Sequence, residues 1–230
     1  LQFEEAMAYY DGKNGKRQSY TQAAKWLEKS AAQGNADAQF NLGYMYLVRR
    51  GVVQSDSLAL ILFRKSAEQD DPDAQFNLAW MYENGRGTES NDVEASKWYL
   101  KAAQQGDAAA QFNVGWLYQN GRSGVGGQYR KAIEWYQKSA EQGNVDAQFS
   151  LGALYDSGKG IPEDNAKAAE WYRKAADQGD SMAQTNLGWL YENGFGVEKD
   201  VPQAITWYRK AAAQNYQRAR TFLQNLGIND

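Results

Sequence analysis

Ala183-Gln184-Thr185-Asn186-Leu187-Gly188-Trp189-Leu190-Tyr191-Glu192-Asn193-Gly194-Phe195-Gly196 decides the fold, because most of its columns return along the chain at one interval. Ala-Gln-Phe stands at Ala38–Phe40, Ala74–Phe76, Ala110–Phe112 and Ala147–Phe149, with Ala183-Gln184-Thr185 and the worn Ala219-Arg220-Thr221 closing the series. The steps are 36, 36, 37, 36 and 36 residues; the longer one comes from a glycine-rich insertion within residues 121–128. A tyrosine keeps the step at Tyr9, Tyr46, Tyr82, Tyr118, Tyr155 and Tyr191, and a lysine at Lys29, Lys65, Lys101, Lys138, Lys174 and Lys210. Trp98-Tyr99 recurs as Trp135-Tyr136, Trp171-Tyr172 and Trp207-Tyr208, more loosely as Trp26-Leu27 and Leu62-Phe63. A fixed period in this range marks a repeat architecture.

Each period reads as two helices. In residues 180–215, Asp180 suits an N-cap, and Ala183, Leu187, Leu190 and Tyr191 follow at helical spacing. Asn193-Gly194 ends that helix, because glycine takes the left-handed conformation cheaply. Asp200 caps the second helix, Pro202 is tolerated in its first turn, and Ala204, Trp207, Tyr208, Ala211 and Ala212 form its apolar stripe. The second-helix cap column reads Ser19, Ser55, Asn91, Asp164 and Asp200, with Gln128 the departure after the insertion. Gly43, Gly115, Gly152 and Gly188, with Ala79 in the third repeat, imply close helix–helix approach, since a mid-helix glycine otherwise costs about 1 kcal/mol. One helix pair buries too little surface to stand alone, so the pairs are expected to stack.

Composition excludes much chemistry. The 230 residues carry 25 Lys and Arg against 28 Asp and Glu, a net charge of −3, which gives no electrostatic reason to expect nucleic acid. There is no Cys and no His, which removes disulfide frameworks, thiolate zinc sites, thiol nucleophiles and every mechanism using an imidazole. No apolar run approaches the ~20 residues that cross a bilayer. The chain starts at Leu1, and a leader or upstream segment removed from the natural protein is the expectation. Gly158-x-Gly160 and Gly194-x-Gly196 follow helices and lack a third glycine, so they read as inter-helix loops and not as phosphate cradles. Glu83, Glu134, Glu163 and Glu192 read as solvated charges of a mostly exposed array.

The residues of the opening stretch, followed by Ala204-Ile205-Thr206-Trp207-Tyr208-Arg209-Lys210-Ala211-Ala212, resemble the Sel1-like repeat family, a relative of the tetratricopeptide repeat. The resemblance covers essentially the whole chain. It implies an all-α fold: a right-handed α/α superhelix of about six repeats with first helices on the concave side. The repeats fall at about 1–34, 35–70, 71–106, 107–143, 144–179 and 180–215, and a capping helix at 216–226; the whole of 1–230 is expected to be one solenoid. Arg49-Arg50, Ala79 and residues 121–128 depart from the family pattern. The resemblance also implies a bacterial protein, periplasmic or secreted, with a cytoplasmic place as the alternative. A cysteine-rich branch of the family has been linked to cell-wall-derived antibiotics, an analogy weakened here by the absence of Cys.

Two aromatic columns matter for function. Trp98, Trp135, Trp171 and Trp207, with the tyrosines after them, are expected in the core between repeats, and the recurring lysines are expected to cover it with their stems while the ammonium stays in water. The second column runs through Phe40 and Tyr44, Phe76 and Trp80, Phe112 and Trp116, then Phe149 and Trp189. Each Phe stands four residues from its partner, on a helix face expected to point away from the intra-repeat core. Asn84, Asn120 and Asn193 follow one turn later and offer amides to a ligand backbone. These eleven residues are the candidate partner-binding groove, with inter-repeat packing as the competing reading for the Phe column. Ala153 and Thr185 interrupt the stripe and are expected to leave a gap near the fifth repeat. The reading is a non-enzymatic, monomeric scaffold for a protein or peptide, without cofactor or metal, nucleic acid or membrane insertion. The alternatives are a binder or weak hydrolase of muropeptides or β-lactams, or a subunit of a larger envelope or host-interaction assembly.

Overall fold

The structure is a computed structural model that describes residues 1–122 and 127–228. Among these residues there are thirteen α-helices and no strand. The first six are α1 (Gln2–Asp11), α2 (Tyr20–Ala32), α3 (Ala36–Leu47), α4 (Asp56–Ala67), α5 (Pro72–Asn84) and α6 (Asp92–Gln104). After α7 (Ala108–Asn120) come α8 (Tyr129–Glu141), α9 (Val145–Ser157), α10 (Asn165–Asp177), α11 (Ser181–Asn193) and α12 (Val201–Ala213). The short α13 (Gln217–Asn225) follows, one residue inside each end of the expected capping helix. Residues 123–126 of the glycine-rich insertion lie outside the described residues.

The sequence repeat passes through the chain without a break, whereas the contacts divide it into two compact units within α7. The first holds Leu1–Ala110 with Arg122; the second holds Gln111–Gly121 and the chain from 127 onward. In a repeat array each pair touches only its neighbours, so no single core binds the ends together.

Local chemistry sets the helix limits. Ser19, Ser55, Asn91, Asp164 and Asp200 each accept the backbone N–H three residues on, whereas Gln128 makes no such bond. Asn35, Asp71, Asn144 and Asp180 do the same for first helices. Asp70 and Asn215 take the left-handed turn that glycine makes at the other second-helix ends, both at φ 64°.

Within a repeat, the helix glycine receives an aromatic ring. A Cβ on Gly115, Gly152 or Gly188 would lie 2.5–2.7 Å from Tyr136, Tyr172 or Tyr208, and one on Gly43 would lie 3.1 Å from Phe63. The rings of Phe40, Phe76, Phe112 and Phe149 lean on Phe63, Tyr99, Tyr136 and Tyr172 of the second helix at 5.4–5.8 Å. This corrects the expectation that the Phe face points away from the intra-repeat core. The glycine, one residue beyond Leu at its register, admits the second helix so closely that its ring reaches the Phe as well.

Between repeats, the glutamine of Ala-Gln-Phe carries the connection. Gln39, Gln75, Gln148 and Gln184 are buried and donate to Ala31, Ala67, Ala140 and Ala176, at the end of the preceding second helix. Their side-chain oxygens accept from Gln69, Gln105, Gln178 and Gln214 at 2.7–3.0 Å. The second glycine of each loop completes the contact: a Cβ on Gly87 would meet Asp56 O at 2.5 Å, and one on Gly196 would meet the carbonyl carbon of Asn165 at 2.1 Å. The Gly-x-Gly loops are therefore close-approach points between repeats.

Candidate functional site

The candidate groove residues occupy the first helices of both units. In the first unit, Phe40, Phe76 and Trp80 are half-buried and Tyr44 and Asn84 exposed. The Arg86 guanidinium sits 5.7 Å from the Trp80 ring, while its two nitrogens grip Asp56 at 2.6 and 2.9 Å. In the second unit, Phe112, Trp116, Phe149 and Trp189 are half-buried and Asn120 and Asn193 exposed. Phe149 and Trp189 pack together with Ala153 against the core of α10 and α11, and Phe195 covers one side of the Trp189 ring at 5.1 Å.

The asparagines do not hold their amides out. Asn84, Asn120 and Asn193 donate to the carbonyls of Trp80, Trp116 and Trp189 at 2.8–2.9 Å. Each of these carbonyls lies one turn back in the same helix, and the side-chain amide adds a second donor to it. What remains for a ligand is the acceptor oxygen and the second N–H of each amide.

The carboxylates one residue earlier are also engaged. Tyr99 donates to Glu83 at 2.9 Å and Tyr208 to Glu192 at 2.7 Å, with Gln119 taking the same part for Tyr136. Glu83 and Glu192 are thus half-buried anchors and not solvated charges, whereas Glu134 and Glu163 are exposed. Burial pushes the phenols of Tyr99, Tyr136, Tyr172 and Tyr208 well above their usual range.

The Trp-Tyr columns divide between inside and rim. The tyrosines are fully buried, but Trp98, Trp135 and Trp171 are only half-buried, and Trp207 alone of the four is buried. The ammonium of Lys101, Lys138, Lys174 and Lys210 lies 3.8–4.3 Å over the neighbouring indole, and that of Lys29 lies 4.4 Å from Trp26. The lysine head therefore lies on the ring face of an exposed residue that water still reaches: three residues along a helix places it there, and the ring quadrupole attracts it.

The stripe is broken at Ala153. A cavity of about 420 Å³ opens there, lined by Phe149, Ser150, Ala153, Asp156, Asn186 and Arg218 among others. Thr185 is not part of the gap; it is buried and donates to Ser181 O at 2.8 Å. Asp156 accepts from Tyr172 at 3.4 Å, and burial raises its carboxyl above the usual range. Sequence reading missed Arg218, which reaches this cavity from α13. Its cationic type in a column otherwise held by Asp37, Asp73, Ala109, Asp146 and Met182 was the available signal.

These features define an all-α repeat protein of stacked helix pairs. The family model for the Sel1 repeat matches residues 2–35, 36–71, 72–107, 108–144, 145–180 and 181–216, and the chain belongs to that family. Its fold is similar to c5321, a protective antigen present in uropathogenic Escherichia coli strains, with 36% identity and a TM-score of 0.92 over 99% of this chain and 49% of that one. It is also similar to a Sel1 repeat protein from Oxalobacter formigenes, with 34% identity and a TM-score of 0.82 over 98% of this chain and 64% of that one. The chain thus spans about half the length of the first and less than two thirds of the second. A Sel1 repeat protein from Klebsiella pneumoniae, 22% identical with a TM-score of 0.51, shares the fold. Among curated proteins none matches. These structures come from bacteria, the origin that the resemblance implies. No helix among the described residues is long and apolar enough to cross a membrane.

Proposed function

We propose that the chain is a binding scaffold for a protein or peptide, held on the first-helix face and not chemically altered. The observation that carries this reading is that aromatics on first helices stay half-buried, Trp80 in the first unit and Trp116 and Trp189 in the second. Large aromatics left partly open to solvent mark interaction surfaces. Sel1 repeats commonly mediate protein–protein interaction. Among the described residues no group of carboxylates able to hold a metal ion accompanies them, and Glu83 and Glu192, beside the stripe, accept from tyrosines. The test is capture from a bacterial lysate with the chain and with its Trp80→Ala, Trp116→Ala and Trp189→Ala variants. Loss of one defined partner with the helical signal intact supports the reading; unchanged capture by all three variants overturns it. We also propose an exported or periplasmic location, supported by the family resemblance; cell fractionation tests it.

A further inference from the structure

In the fifth repeat, three positions on one face of α9 are smaller than their counterparts elsewhere. Ala153 stands where other repeats have Tyr44, Trp80, Trp116 and Trp189. Ser150 stands against Asn41, Asn77, Asn113 and Asn186, and Ser157 against Asn84, Asn120 and Asn193. Spaced three and four apart, the three reductions fall in line on the helix surface and open the cavity.

The same repeat also releases a cation. Arg86 and Arg122 are tied as bidentate pairs to Asp56 and Asp92 of the repeat before. Lys159 holds that column in the fifth repeat, and the column of Asp56 and Asp92 there reads Tyr129. Lys159 makes no ion pair or hydrogen bond among the described residues, and it lines the cavity. Arg218 enters from α13 with the Phe222 ring beside it at 5.6 Å, and its charge acts on the Asp156 carboxyl without a salt bridge between them. Two cations that no salt bridge among the described residues ties down thus line one space with the Asp156 carboxyl and the apolar Phe149 and Ala153. A packing fault would be closed and lined by apolar groups, as empty cavities are; this one is open, polar-walled and charged.

We infer that the cavity at Ala153 binds the C-terminal residue of a peptide. The apolar side chain takes the space of the missing indole, the terminal carboxylate pairs with Lys159 and Arg218, and the last backbone N–H donates to Asp156. Asp156 lends only one oxygen to Tyr172, at 3.4 Å, which leaves an acceptor facing the space. A single residue presents these three groups together, and one cavity carries their complements. An internal acidic side chain would supply the carboxylate without the adjoining N–H. This inference rests on the scaffold reading and names the chemistry of its ligand.

The test is an NMR titration of the full chain, following the Ala153 methyl and the Asn186 side-chain amide. The probes are N-acetyl-L-phenylalanine, its C-terminal amide, and N-acetyl-L-glutamic acid α-amide. The expected result is saturable shifts with the first probe and at least tenfold weaker binding of the other two. Ala153→Trp, which restores the residue type of its column, is expected to abolish the shifts at Asn186. Lys159→Gln with Arg218→Gln is expected to weaken binding about tenfold. Equal binding of the acid and its amide, tighter binding of the glutamic acid derivative, or no saturable shift overturns the assignment. Partner capture through Trp80, in the other unit, tests the scaffold reading separately, so one can fail without the other.

Discussion

Replacing Gln184 by Met keeps the side-chain volume and removes only its polar end. Gln184 is buried, its Nε2 donates to Ala176 O at 3.0 Å, and its Oε1 accepts from Gln214 at 3.0 Å. Each lost hydrogen bond is worth about 0.5–1.5 kcal/mol net. No group is left stranded: Ala176 O still accepts from Gly179 N at 3.0 Å, and Gln214 still donates to Gly179 O at 2.8 Å. The expected cost is therefore about 1–3 kcal/mol, without a further burial penalty. Gln214→Met behaves differently. Gln214 is exposed, yet its loss leaves the Gln184 oxygen buried without a donor, so the cost is expected to match or exceed that of Gln184→Met. The double variant should cost less than the sum of the singles, because the shared bond is counted twice. Urea unfolding followed by far-UV circular dichroism gives the totals, and hydrogen exchange on α10–α12 localises them, since repeat arrays need not unfold in one step. A cost below about 0.5 kcal/mol for Gln184→Met, or additive costs, would refute the view that the glutamine ladder holds repeat to repeat.

Gly152→Ala and Gly188→Ala set a helix-propensity gain of about 1 kcal/mol against overpacking of about 1–3 kcal/mol on Tyr172 and Tyr208, so both should lower stability, whereas Gly43→Ala, with its nearest contact at 3.1 Å, should be close to neutral; thermal melts rank the three. Gly196→Ala puts a Cβ 2.1 Å from backbone at a positive φ of 68° and should prevent normal docking of the sixth repeat, read as lost exchange protection in α11 and α12. Tyr99, Tyr136, Tyr172 and Tyr208 hold their protons more tightly folded than unfolded, so above the unfolded value near 10 the unfolded chain carries fewer protons and stability must fall as pH rises; alkaline titration at 295 nm should show these four ionising only with unfolding, and four Tyr→Phe changes should flatten that pH dependence. Asp200→Ala should cost about 1 kcal/mol through the lost N-cap bond to Gln203, whereas Gln128→Ala, at a position without a side-chain cap bond, should cost little; paired melts check the contrast.

The sequence alone determined the period, the pairing of helices and where they stop. Those follow from short-range rules: a cap oxygen reaches an amide three residues on, and Asn193-Gly194 stops a helix wherever the chain goes next. It also located the gap at Ala153, because a missing indole in a periodic column is visible without coordinates. Only the tertiary structure decided which groups the periodic columns meet. Phe40 and its equivalents lean on the second helix because glycine admits that helix closely, a distance that periodicity does not contain. The amides of Asn84, Asn120 and Asn193 turned to carbonyls of their own helices, and the lysine heads settled on indole faces, since each has a partner one turn away on its own helix. Arg218 lies 65 residues from Ala153 in sequence and lines the same cavity, a long-range meeting that stacking creates and that no spacing rule encodes.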